Sequence, residues 1–266
     1  MNLKTKLMDH QQKAFDKLKD IKACALFMDM GTGKTRTTLE FIEYRLKQGK
    51  ITNVFWVCPV SCKENLRIDI EKHTNYSVNT IEKYNDELIC IIGTESISMS
   101  EKIRIKLLNL LKNNPENYLI IDESHMIKNY DTNRTKFINK NLIKLSKYRA
   151  ILTGTPVTQG IWDLYTQFYF LHPKILGYHS WHSFASNHLE YSDKFPGMIV
   201  EAHNTDYITK KINPYVYQVT KDECLNLPNK SYSYRSVYFD EIEEEYYNLI
   251  KDYYIEQIDP DRPERI

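Results

Sequence analysis

Phe27-Met28-Asp29-Met30-Gly31-Thr32-Gly33-Lys34-Thr35-Arg36 stands between two segments of different hydrophobic rhythm. Ahead of it, Ala23-Cys24-Ala25-Leu26-Phe27 is a short apolar run of the kind that forms a buried strand. Behind it, Leu39, Phe41, Ile42 and Leu46 recur at roughly helical spacing as far as Lys47. Strand, glycine turn and helix together are the context that a phosphate-binding loop (Walker A) requires. Gly31 and Gly33 let the backbone approach a polyphosphate where a side chain would obstruct it. The first amides of the helix then point at the anion, and the helix dipole adds to the attraction. On this reading Met30, Gly31, Thr32, Gly33 and Lys34 line the phosphates of ATP. Lys34 reaches the β- and γ-phosphates, and the Thr35 hydroxyl ligates Mg²⁺. The general pattern G-x-x-x-x-G-K-[ST] asks for glycine where this chain has Met28.

A second strand of the same kind ends in acid. Tyr118-Leu119-Ile120-Ile121 runs into Asp122-Glu123-Ser124-His125, the form of a Walker B element. Asp122 would hold Mg²⁺ directly or through water, and Glu123 would polarise the attacking water as general base. Adjacent carboxylates repel unless a cation or proton relieves them. Alone, such a pair is an ordinary solvated turn. Here the interval back to Thr35 has room for about two βα units of roughly 30 residues each.

The remaining chain fits that frame. Residues 1–20 read as a helix with Leu7, Ala14, Phe15 and Leu18 on one face and Asp9 as its cap. Residues 51–57 and 88–92 read as strands, and 61–73 and 101–112 as helices, the last stopped by Asn113-Asn114-Pro115. Tyr148–Leu152 is a further strand, ending in Thr153-Gly154-Thr155-Pro156. Alternation of strand and helix from 23 to 171 predicts an α/β fold, a doubly wound parallel sheet with helices on both faces. Ligands of such sheets bind at the carboxyl ends of the strands, where all these polar motifs fall.

Composition narrows the class. Hydrophobic residues make up 42% and charged residues 27% of the 266, ordinary values for a globular protein. The formal net charge of +1 excludes the overall basic signature of many nucleic-acid binders, so a nucleic-acid site would be a local groove. Five cysteines, an odd number with several in apolar runs, fit buried thiols in a reducing compartment. Cys58 and Cys62 lack the further ligands of a zinc site. No run approaches the ~20 apolar residues of a membrane span, and no leader opens the chain. The expected location is intracellular, cytoplasmic or on the nucleoid, with no membrane partner.

From residue 7 to about 250 the chain resembles the superfamily-two helicases and, within them, the Swi/Snf-type translocases. Leu7-x-x-His10-Gln11 resembles the adenine-reading motif, and Asp29 to Thr35 resembles motif I, in which this family also lacks the first glycine. Val57-Cys58-Pro59-Val60-Ser61 is similar to motif Ia and Gly93-Thr94-Glu95-Ser96 to motif Ib. Asp122-Glu123-Ser124-His125 with Ile127-Lys128-Asn129 resembles motif II, and Leu152 to Pro156 with Asp163-Leu164 resembles motif III. The resemblance implies a RecA-like first motor lobe over 1–172, a helical insertion over 173–230 with Trp181, Phe184 and Leu189 packed inward, and a crossing segment over 231–266. The crossing segment would begin near Leu227-Pro228-Asn229-Lys230, continue as a strand over 233–239, and enter a helix to about 257 through a capping box at Asp240–Glu243. It implies ATP and Mg²⁺ as cofactors, Gln11 on the adenine, and Lys34, Asp122 and Glu123 as catalytic residues. It also implies coupling of His125 to Thr153 or Thr155, and backbone contacts to DNA, preferably double-stranded, from Ser61, Lys63, Thr94, Ser96 and Lys128. The second RecA-like lobe, with its arginine fingers, is expected beyond Ile266 or on another polypeptide. Three other functions keep the same motifs: an RNA-remodelling helicase, a nucleotide-gated binding module that does not hydrolyse ATP, and a subunit completed by a partner's lobe. Two features depart from the family. Gln159 stands where asparagine is frequent, and Val216 to Lys221 replaces an arginine-rich segment.

Overall fold

The structure is a computed structural model that describes residues 2–195, 197–224 and 233–256. The chain divides into two compact units, Met1–Asn226 and Leu227–Ile266.

In the first unit seven strands form one parallel sheet: β1 (Ala23–Met28), β2 (Asn53–Cys58), β3 (Val78–Thr80), β4 (Ile89–Gly93), β5 (Asn117–Asp122), β6 (Tyr148–Thr153) and, after a separate antiparallel hairpin of β7 (Leu189–Tyr191) and β8 (Ile199–Ala202), β9 (Val216–Val219). Their order is β3-β4-β2-β5-β6-β1-β9. β1, β2, β4 and β6 are buried along their whole length, which is why they read as continuous apolar runs and not as alternating ones. The pleat still sorts their side chains. Ala23, Ala25 and Phe27 enter one core and Cys24, Leu26 and Met28 the other.

Helices cover both faces. α1 (Asp9–Leu18), α2 (Lys34–Lys47) and α3 (Lys63–His73) pack Leu18, Leu39, Phe41, Ile42 and Ile70 on one side. On the other, α4 (Thr94–Met99), α5 (Glu101–Asn113), α6 (Asn133–Phe137), α7 (Leu164–Leu171), α8 (Trp181–His188) and α9 (Thr205–Ile212) surround a core that includes Ile97, Leu107, Leu111, Phe168, Phe184 and Ile208. This is the RecA-like doubly wound α/β fold expected from the sequence. Because every pairing in the sheet is parallel, with Phe27 opposite Thr153, Asp122 opposite Leu152 and Cys58 opposite Gly93, the loops after these strands emerge on one side.

The structure departs from expectation in several places. Within 173–230, expected to be a helical insertion, the described residues contain the β7–β8 hairpin between α8 and α9. Phe184 and Leu189 are buried as expected, and Trp181 is partly buried against the same core. β9 follows α9 and extends the sheet beside β1. α1 begins at Asp9 with Met8 as its N-cap, and the Gln11 side chain, not that of Asp9, accepts the Met8 amide at 3.0 Å.

In the second unit residues 233–240 form no strand, and α11 follows the short α10 (Lys221–Cys224) of the first unit, spanning Glu241–Glu256. Its start is the expected capping box. Asp240 Oδ1 accepts the amides of Ile242 and Glu243, and Glu243 Oε2 accepts that of Asp240 at 3.3 Å. Leu227 to Lys230 lie outside the described residues. Among the described residues no helix is long and apolar enough to cross a membrane.

Candidate nucleotide site and strand-end loops

The glycine loop is held from outside by α1. Gly31 and Gly33 have φ of +83° and +86°, a left-handed backbone that costs glycine little and other residues more. Gly33 has a second constraint: a Cβ there would stand 2.1 Å from Gln11 Nε2. Gln11 Nε2 donates to the Thr32 carbonyl at 3.1 Å, and His10 Nε2 lies 2.8 Å from the same oxygen. Gln11 is therefore a clamp on the loop in this structure, beside a cavity of about 500 Å³ that Met8, Gly31, Gly33, Lys34 and Thr35 also line. Thr32 closes the turn by donating its hydroxyl to Asp29 O at 2.7 Å. Lys34 Nζ donates to Met28 O at 2.9 Å. Met30 is 71% exposed at the loop's outer edge.

A second cavity, of about 440 Å³, joins Met30, Gly31, Lys34 and Thr35 to Asp122 and Glu123. This is a set of groups that a magnesium–polyphosphate complex fits: a hydroxyl, two carboxylates and one ammonium lining a single cavity beside the left-handed Gly31. Burial pushes the Asp122 carboxyl up to about 6, and the neighbouring Glu123 carboxylate adds to the rise, against the Lys34 ammonium. A charge held at such cost in the free protein is one a cation would relieve. Glu123 itself has φ of +47°, an uncommon conformation for a residue with a side chain.

Beyond that carboxylate the motifs converge. Thr153 Oγ1 donates to Glu123 Oε2 at 3.3 Å, and His125 Nδ1 lies 3.2 Å from the same oxygen and 3.3 Å from the Thr153 hydroxyl. Of the two threonines named from the sequence, Thr153 makes the side-chain contact. Thr155 joins through its backbone amide, which donates to Thr153 Oγ1 at 3.1 Å. Ser124 donates to Gln167 Oε1 at 2.7 Å, and Gln167 Nε2 returns to the carbonyls of Pro156 and Asp163 at 2.8 Å each. Gln167 thus ties the acidic turn to the loop after β6. A lone glutamine in an apolar helix gave no signal of that in the sequence.

The strand-end residues proposed for nucleic acid divide into groups. Val60 and Glu95, from the two loops flanking Cys58 and Gly93, are joined by Val60 N donating to Glu95 Oε2 at 2.9 Å. Ser61 is exposed and Ser96 partly so, whereas Thr94 is buried with its hydroxyl unpartnered among the described residues. Lys63 is gripped by both carboxylate oxygens of Glu82 at 2.9 Å. Lys128 reaches the Thr158 hydroxyl and lies 3.5 Å from Asp163 Oδ2. Burial alone would raise the Asp163 carboxyl, but the amides of Gln159 and Thr158, the Thr158 hydroxyl and Lys128 outweigh it and hold it low.

The family described as the SNF2-related domain matches residues 7–262. The chain belongs to that family. This SNF2-related domain is 29% identical over 186 residues to the ISWI chromatin-remodeling complex ATPase ISW2 of Saccharomyces cerevisiae, an alignment covering 65% of the chain and 16% of that protein. It is 26% identical over 212 residues to an uncharacterized ATP-dependent helicase of Mycoplasma pneumoniae, covering 76% of the chain and 19% of the helicase. Among solved structures, the SWI2/SNF2 ATPase core of Sulfolobus solfataricus in complex with dsDNA superposes with a TM-score of 0.67 at 25% identity, over 83% of this chain and 46% of that one. The SNF2-related domain therefore spans under a fifth of these two relatives and under half of the solved core.

Proposed function

We propose that this SNF2-related domain is the first motor lobe of an ATP-dependent DNA translocase, binding Mg·ATP on the glycine loop and duplex backbone on the strand-end loops. The observation that carries the reading is the Glu123–Thr153–His125 triangle, which connects the Asp122 cavity to the loop after β6 through contacts of 3.2 to 3.3 Å. In this reading Lys34 neutralises the β- and γ-phosphates, and the amides around Gly31 and Gly33 orient them. Thr35 and Asp122 would hold Mg²⁺, which would supply neutralisation of the phosphate charge. Glu123 takes a proton from the attacking water through Oε1 or Oε2, and Thr153 and His125 orient that carboxylate. Coupling follows, because any change at Glu123 alters the hydrogen bonds that position the loop after β6.

Duplex DNA is favoured over RNA by the likeness to a core bound to dsDNA. We assign residues 1–172 to the nucleotide lobe, 173–230 to an extension of it, and 231–266 to the crossing toward a second RecA-like lobe, in cis or in trans, inside the cell. The deciding experiment measures ATP turnover with duplex DNA and with single-stranded RNA, the second lobe supplied, for the wild type and Glu123→Gln. Turnover stimulated by duplex DNA and abolished in the variant supports the reading. Undiminished turnover in Glu123→Gln overturns it.

A further inference from the structure

The last strand of the sheet ends at the glycine loop. β9 lies parallel to β1 with Val219 opposite Met28, so both strands run out side by side. Asp29 N donates to Val219 O at 3.2 Å, and one turn later Lys221 N donates to Asp29 Oδ2 at 2.9 Å. The turn is fixed from its other end as well, since Glu223 Oε2 accepts Thr220 N at 2.7 Å. Asp29 and Glu223 thus each receive a backbone amide of this turn.

The Lys221 side chain is laid over the loop. Its Cε lies 3.7 Å from where a Cβ on Gly31 would stand, and the residue is partly buried. Among the described residues its ammonium has neither a hydrogen-bond acceptor nor a carboxylate partner, whereas the Lys34 ammonium is engaged by Met28 O at 2.9 Å. Successive amides in a left-handed glycine turn form a concavity that attracts anions. A second ammonium brought over such a concavity by backbone bonds, and left without a partner, is arranged for an anion and not for stability.

We propose that Lys221 is a second polyphosphate-binding cation, reaching the terminal phosphates of ATP over Gly31. The proposal rests on the reading of the glycine loop as the ATP site, and it adds a residue from the start of α10, just after β9, that no part of motif I contains. A charge-assisted bond of this kind predicts a roughly tenfold to hundredfold loss of affinity on removal. The loss should grow with the number of phosphates, because the contact lies at their far end.

The test titrates fluorescent ATP, ADP and AMP, with Mg²⁺, into the 266-residue chain as wild type, Lys221→Ala, Lys221→Met, Lys221→Arg and Lys34→Ala, and records nucleotide-free melting of each. Lys221→Ala and Lys221→Met should weaken ATP at least tenfold and ADP less, leave AMP unchanged, and melt with the wild type. Lys221→Arg should recover most of the affinity. Melting should hold because the bond to Asp29 comes from the Lys221 backbone. Wild-type affinities in Lys221→Ala, alongside a weakened Lys34→Ala, would overturn the Lys221 assignment alone. Equal losses for ATP and AMP with lowered melting would overturn it too, as a structural effect. No saturable ATP binding by the wild type would overturn the ATP reading of the loop and this proposal together.

Discussion

Thr153 donates its hydroxyl to the Glu123 carboxylate at 3.3 Å, from the last residue of β6 to the first residue after β5. The two strands are neighbours, with Asp122 opposite Leu152, so the contact is set by sheet register and needs no loop to find it. His125 completes the triangle from the same acidic turn.

Glu123→Gln keeps the shape of that triangle and removes its base. It should leave Mg·ATP affinity within about twofold and lower turnover by a hundredfold or more, in line with the usual contribution of general-base catalysis. Thr153→Val should act differently: slow turnover persists, but stimulation by DNA falls, because the link and not the base is lost. Comparing basal and DNA-stimulated rates of the two variants, with the second lobe present, separates the roles.

Asp122 sets a pH dependence with a definite sign. Its carboxyl is pushed up to about 6 by burial and by Glu123, so between the ordinary value near 4 and about 6 the folded free protein holds a proton that the unfolded chain has lost. Its contribution to stability is fully present below the ordinary value near 4 and is lost as pH rises through about 6. Asp122→Asn should therefore stabilise the nucleotide-free chain at pH 7, by on the order of 1–2 kcal/mol after allowance for solvent screening, and have little effect at pH 4. Magnesium affinity in the wild type should rise over the same interval, since the metal needs the carboxylate. Melting curves at several pH values, with and without Mg²⁺ and nucleotide, check both signs.

Much of this fold was legible because five central strands are buried on both faces and write themselves as apolar runs. β3 and β9 were not, being three and four residues long at the sheet's two edges with only partial burial. The glycine loop and the acidic turn could be found by local spacing alone. Partners distant in sequence could not: nothing near Lys63 points to Glu82, and nothing near Gly31 points to Lys221.

Those ion pairs shape the expected DNA binding. Lys63 and Lys128 each face a carboxylate in the free protein, so each must exchange a partner before it neutralises a phosphate. Single substitutions Lys63→Ala and Lys128→Ala should each reduce the salt slope of duplex binding by less than the ~0.9 log units per phosphate of an unpaired lysine. Glu82→Gln, which frees Lys63, should tighten binding at low salt. Binding isotherms across a salt series test this; a strong preference for one base sequence would contradict backbone recognition.

The local arginines bear on the rate of hydrolysis. A γ-phosphoryl transition state spreads charge that Lys34 and Mg²⁺ only partly offset, and in phosphate-loop enzymes a supplied arginine is worth roughly 10³ to 10⁵ in turnover. Arg36 is spent on Thr5 and Glu40. Arg149 is buried among the carbonyls of Leu171, Ile143 and Ser146, and burial draws its guanidinium down to about 10. Neither side chain can turn to the phosphates without abandoning those bonds. Lys221, as a point charge without the planar fork of a guanidinium, contributes to affinity more than to catalysis. The 266-residue chain should accordingly bind Mg·ATP but turn it over very slowly, with little stimulation by duplex DNA. Supplying a second lobe, fused or in trans, should raise turnover by at least a thousandfold. Arg36→Lys and Arg149→Lys should leave the slow basal rate unchanged, whatever they cost in stability. A brisk DNA-stimulated ATPase from the chain alone, lost in either arginine variant, would show that a finger lies within this lobe.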